Sequence, residues 1–181
     1  MAKYSKTLYA VPIAVLASVG IALWKGVGSF LFAWVFHLMF MMVVLSVMEA
    51  AMPKLRSRYF SISAWESDGR IYERLGVNLF RKILVWIGWE KLNKKNNTVE
   101  KSVASLQHIE YLTRQAEFGH LLILCVVTIM SIVIIMIYDF STAFWLLILN
   151  IILHLYPIIV QRYNRPRFQK TIEKLRMRAI I

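Results

Sequence analysis

The sequence predicts an all-α integral membrane protein, with about four transmembrane helices and a cytoplasmic amphipathic helix lying in the membrane interface. Three observations lead there. Hydrophobic residues make up 59% of the 181 positions, and the mean hydropathy is +0.57. Four apolar runs approach the roughly 20 residues that a helix needs to cross a hydrocarbon core. Most of the 22 Lys and Arg residues fall outside those runs, on what becomes one side of the membrane if positive charge stays inside.

The first run, Leu8 to Trp24, is short but uncharged, and the second, Ser29 to Met48, has His37 as its titratable group before Glu49. Lys25, Gly26 and Gly28 supply the turn between them. Lys3 and Lys6 ahead of an apolar run resemble a secretory signal, yet no small-x-small cleavage site leads into soluble sequence, so the segment is expected to remain as a membrane helix. The third run, Leu121 to Tyr138, and the fourth, Phe140 to Val160, share a turn at Asp139. The expected organisation is one membrane domain over 1–181: a first hairpin (1–48), a basic segment (49–118), a second hairpin (119–161) and a basic tail (162–181).

Charge sets the expected topology. Twelve of the 22 basic residues lie between Glu49 and Phe118, and seven follow Val160, from Arg162 to Arg178. Lys3 and Lys6 precede the first run, which leaves Lys25 for an outer turn. Both termini and the long connection are therefore expected on the cytoplasmic side of a bacterial inner membrane. The net charge of +12 is explained by anionic lipid headgroups, which attract surface Lys and Arg at about 1 kcal/mol each; no nucleic-acid partner is expected. The lone Cys125 excludes a disulfide or a cysteine-based metal site within one chain.

A connection of roughly 70 residues is too long to lack structure of its own. Ile71, Leu75, Leu79, Ile83 and Trp86 recur at helical spacing among Arg74, Arg81 and Lys82, the pattern of an interfacial helix over Ile71 to Leu92 with break points at Gly76 and Gly88. Trp65, Trp86 and Trp89 suit the headgroup zone. Lys91 to Lys101 reads as an exposed polar loop. Ser102 or Ser105 then caps a helix that passes through Gln107, Glu110, Arg114 and Glu117 into the third span.

On that helix Glu110, Arg114, Glu117 and His120 share nearly one face. Glu110 with Arg114 is an i,i+4 ion pair on the simplest reading. Glu117 and His120 sit at the membrane boundary, where a titratable group usually faces a cavity or a partner. They are candidates for an orienting carboxylate and a general base. A metal held by Glu110, Glu117 and His120 is not expected, because one helix supplies too few ligands, and no cofactor is expected. Asn150 and His154, four apart in the fourth run, read as interhelical hydrogen-bonding residues, as does His37. The fourth run ends in Gln161-Arg162-Tyr163-Asn164-Arg165-Pro166-Arg167. Its three guanidinium forks suit phosphate, either on lipid headgroups or on one phosphorylated substrate, and Pro166 is expected to end or bend the helix.

Three stretches make the sequence resemble the glycosyl-4,4'-diaponeurosporenoate acyltransferases, small bacterial membrane enzymes of carotenoid biosynthesis. They are QRYNRPR at 161–167, Ala116-Glu117-x-x-His120 at the start of a membrane helix, and the block from Trp65-Glu66 through Gly69, Tyr72-Glu73 and Gly76 to Phe80-Arg81-Lys82. This last block lacks the family's usual Pro-Asp or Leu-Asp-Gly continuation. The resemblance covers roughly residues 60 to 175. It implies transfer of a fatty acyl group from an activated thioester donor to a sugar hydroxyl of a glycolipid or glycosyl carotenoid acceptor. His120 would be the base and Glu117 its partner, with Asn164 or Tyr163 donating to the oxyanion. Arg162, Arg165, Arg167, Glu110, Arg114, Tyr72 and Glu73 would bind substrate. A small membrane methyltransferase or reductase, or a non-catalytic lipid-binding protein, are the alternatives the residues leave open.

Overall fold

The structure, a computed structural model, describes residues 4–88 and 102–178. Trp89, Leu92 and the expected loop at Lys91 to Lys101 lie outside the described residues. Among the described residues, four helices are long and apolar enough to cross a membrane: Ser5–Lys25, Phe30–Ala51, Val103–Ile137 and Phe140–Arg178. No strand occurs among the described residues. The chain divides into two compact units, Met1–Lys54 with Phe118–Pro157 and Leu55–Glu117 with Ile158–Ile181.

In the first unit, helix α1 (Ser5–Lys25) packs on α2 (Phe30–Ala51). The Ser29 hydroxyl accepts from Phe32 N at 3.2 Å and so begins α2, satisfying one of the free N–H groups of a helix start. Small residues bring helices close: a Cβ on Gly28 would meet Thr142 Cγ2 at 3.2 Å. The core holds Phe32, Ala33, Val44, Ile123, Val127, Ala143, Leu146 and Leu149. Leu8, Leu16, Leu23, Ile129 and Met136 remain exposed, which is the arrangement expected where hydrocarbon is the solvent. The Asp139 carboxylate accepts from Thr142 N at 2.7 Å and begins α6 (Phe140–Asn150). A π turn, Ile151–Leu155, follows and leads into α7 (Tyr156–Arg178). Such turns insert a residue into the helical repeat and recur at functional positions.

In the second unit, two short 3-10 turns, Arg58–Phe60 and Ala64–Glu66, precede α3 (Arg70–Arg74) and α4 (Val77–Trp86). Gly76 at φ 81° separates these two helices and Gly88, also at 81°, follows α4, so both expected break points are where the backbone leaves the right-handed region. Ile71, Leu75, Leu79 and Ile83 are exposed, and Trp86 is 87% exposed. The apolar face of α3 and α4 is therefore unburied by protein, as an interfacial helix requires. Tyr72, Val77, Val160 and Tyr163 form a small core.

Helix α5 (Val103–Ile137) starts at Ser102, whose hydroxyl accepts from Ser105 N at 3.1 Å. The fourth helical stretch does not end at Pro166. Pro166 is buried inside α7, and the helix runs to Arg178, well past Val160. Proline removes its own N–H and crowds the carbonyl four residues back, yet the helix continues through it, with the neighbouring Arg165 tied to buried Glu117.

Candidate functional site

The second unit contains a buried network of arginines and carboxylates. Glu117, fully buried on α5, accepts from Arg162 Nε at 2.8 Å through one oxygen and from Arg165 Nη2 through the other. Arg162 uses its other nitrogens as well: Nη1 donates to Glu66 Oε1 at 2.6 Å and Nη2 to the Tyr59 carbonyl at 2.9 Å. Three separate donors on one rigid fork explain why arginine stands there. Arg165, 2% exposed, also donates to the Phe60 carbonyl at 3.3 Å.

Glu66 was marked by the sequence only as part of a matching block. It is 3% exposed and joins three segments. Tyr72 OH donates to the same oxygen as Arg162, and Ser63 N donates to the other at 2.9 Å. Burial pushes the Glu66 carboxyl up, but hydrogen bonds from Tyr72, the Ser63 N–H and Arg162 outweigh it and hold the group below the usual carboxylate value. Burial, and then the adjoining Glu66 carboxylate, push the Tyr72 hydroxyl above the usual phenol range. Both groups keep the charge state on which the network depends.

Tyr163 is buried, donates to Glu73 Oε1 at 2.9 Å and accepts from Arg167 Nη2 at 2.6 Å. The Arg167 and Arg81 guanidinium groups lie 3.6 and 5.6 Å from its ring centre. Gly69, at φ 72°, passes under this ring; a Cβ there would meet Tyr163 Cε2 at 3.1 Å. The Asn164 side chain is partly exposed and makes no hydrogen bond among the described residues.

Glu110 and Arg114 form the expected ion pair at 2.6 Å, and Gln169 donates to the same Glu110 oxygen at 2.8 Å. Arg114 and Gln169 also line an open cavity of about 460 Å³ together with Arg56, Ser57 and Ser61. Arg114 Nε is buried without a partner among the described residues. Two guanidinium groups, two hydroxyls and an amide around one space suit an anion with several oxygens. Arg56, Ser57 and Ser61 lie within six positions of one another but more than 100 from Gln169, and they carry no motif, so spacing alone did not single them out.

His120 belongs to the first unit. Its Nδ1 lies 3.1 Å from His154 Nδ1, and His154 Nε2 lies 2.9 Å from His37 Nδ1. His37 Nε2 is 3.2 Å from the Leu146 carbonyl oxygen. His37 and His154 are buried, while His120 is partly exposed and its Nε2 has no partner among the described residues. Asn150 donates to the Leu124 carbonyl and to Thr128, at 3.1 and 3.0 Å, as expected of a polar residue bonding across helices.

Comparison with known proteins found no match among curated sequences and none among solved structures. A family model does match, over residues 56–174, which takes in the arginine–carboxylate network, the cavity, His120 and His154. That stretch is well over half of the sequence, and on it the chain belongs to the glycosyl-4,4'-diaponeurosporenoate acyltransferase family.

Proposed function

We propose that this acyltransferase moves a fatty acyl group from a soluble thioester donor that carries phosphate to a sugar hydroxyl of a membrane glycolipid or glycosyl carotenoid, at the cytoplasmic face of a bacterial inner membrane. The observation that carries the chemistry is His120. Its ring is partly exposed, Nδ1 is engaged by another histidine, and Nε2 is open, which is what a general base needs. In the proposed reaction Nε2 removes the acceptor hydroxyl proton and the oxygen attacks the thioester carbonyl. The carbon–sulfur bond then breaks, and the departing thiolate takes the proton back from the imidazolium.

Asn164 has unengaged amide donors and is the residue proposed to steady the developing oxyanion; the Tyr163 hydroxyl proton is committed to Glu73. For the donor, the guanidinium groups that line the cavity matter most, Arg56 and Arg114, the latter with its Nε still unpartnered among the described residues beside its Glu110 ion pair. Arg162 and Arg165 are occupied by Glu117 and Glu66, so their proposed part is to hold the frame. Arg56 and Arg114 with Ser57 and Ser61 are proposed to meet the donor phosphates. Arg167 and the basic tail serve the anionic membrane surface.

Lipid and pigment mass spectrometry on host cells expressing wild type, His120→Ala or neither tests the reading. The expected result is a glycolipid heavier by one fatty acyl unit in wild-type cells and missing from the other two. A mass shift of one methyl or of two hydrogens, or full activity of His120→Ala, would overturn it.

A further inference from the structure

The three histidines of the first unit form a hydrogen-bonded row whose polarity can be read from one end. The Leu146 carbonyl only accepts, so the His37 nitrogen 3.2 Å away, Nε2, carries a hydrogen. A neutral imidazole has one donor and one acceptor nitrogen; His37 Nδ1 is then the acceptor, and His154 Nε2, at 2.9 Å, carries the hydrogen between them. By the same step His154 Nδ1 accepts, and the hydrogen between it and His120, at 3.1 Å, sits on His120 Nδ1. The lone pair at the far end is left on His120 Nε2. Neutrality follows from the surroundings: His37 and His154 are 1% and 0% exposed, and no carboxylate hydrogen-bonds to any of the three rings among the described residues, so a buried imidazolium would lack a counter-ion.

We infer that His154 and His37 are positioning residues that hold His120 as the Nδ1–H tautomer, with Nε2 bare and ready to accept a proton. This rests on the reading of His120 as general base. The row does more than aim the ring. When Nε2 takes the proton, the His120 Nδ1–H becomes the donor of a charge-assisted bond to His154, roughly twice as strong as the neutral one. The gain appears as charge develops and is absent beforehand, which is the condition for accelerating the step. His37 and the Leu146 carbonyl polarise His154 in the same sense. The π turn at Ile151–Leu155 carries His154, and its extra residue sets the angle at which that ring meets both neighbours.

The test is ¹⁵N-histidine NMR on the full chain in lipid nanodiscs, with the four histidines assigned by replacing each in turn. Wild-type His120 is expected to be protonated at Nδ1 and bare at Nε2, and His37 and His154 the reverse; a wild-type His120 protonated at Nε2 overturns the inference without any variant. His37→Leu, which removes the anchored end, should turn the His120 signal into a mixture of tautomers and lower kcat about tenfold or more with KM unchanged. A pure Nδ1–H signal in His37→Leu overturns it. The base reading fails separately, if His120→Ala turns over normally while the wild-type tautomers stand as stated.

Discussion

Glu117→Gln should cost far more than the loss of one surface ion pair, and the structure says why. The carboxylate is 0% exposed and neutralises two guanidinium groups. Arg162 keeps Glu66 at 2.6 Å when Glu117 is gone, so most of the cost falls on Arg165, whose side chain is 2% exposed. Stranding one buried charge costs about 3–5 kcal/mol. Arg165 retains the Phe60 carbonyl, which places the expected loss toward the lower end, about 3 kcal/mol. Removing both partners, as in Glu117→Gln with Arg165→Met, leaves no stranded charge, and such replacements are often close to neutral. The assay is reversible unfolding in lipid or mild detergent, comparing each single variant with the double. The double variant should recover most of the 3 kcal/mol. A single loss below about 1 kcal/mol, or a double loss equal to the sum of the singles, would refute the assignment of Glu117 and Arg165 as a buried pair.

Other outcomes follow from the same geometry. Arg162→Lys should weaken the second unit by about 2 kcal/mol despite keeping the charge, because one ammonium cannot reach Glu117, Glu66 and the Tyr59 carbonyl together; a thermal midpoint equal to wild type would contradict this. Gly69→Ala should cost about 1–2 kcal/mol from the left-handed backbone alone, with more from the Tyr163 contact, measurable as a lowered denaturation midpoint. Glu66 has a folded pKa below its unfolded value, so its contribution is complete above the unfolded value and lost as pH falls through the folded one. The wild type should therefore lose stability on acidification below about pH 4.5, and Glu66→Gln should show a flatter acid profile.

The spans were legible because the bilayer demands long uncharged runs whatever the partners are. Gly76 and Gly88 were legible as breaks because positive φ is a local property of glycine. The Glu110–Arg114 pair followed from helical spacing. The role of Glu66 was not legible, since its partner Arg162 is 96 residues away and nothing in either neighbourhood encodes the meeting. The same holds for His37 and His154, which the sequence marked only as structural polar residues and which meet across 117 positions. The arginines of QRYNRPR looked open to a ligand because their compensating carboxylates lie on other segments. Pro166 looked like a helix end because proline removes a backbone bond, whereas the pairing of its neighbour Arg165 with Glu117, 48 residues away, is something no local pattern encodes.

The π turn also constrains how this chain can vary in length. Each residue of an ordinary helix advances the direction of a side chain by about 100°, so deleting one residue within Ile151–Leu155 would regularise the helix and swing His154 away from His37 or strip Asn150 from Leu124 and Thr128. Neither set of contacts can be restored by changing side-chain chemistry, because the error is one of phase. The number of residues between Asn150 and His154 is therefore as much a part of the site as the two side chains, and insertions or deletions there should inactivate the protein even where substitutions of the turn's apolar residues are tolerated.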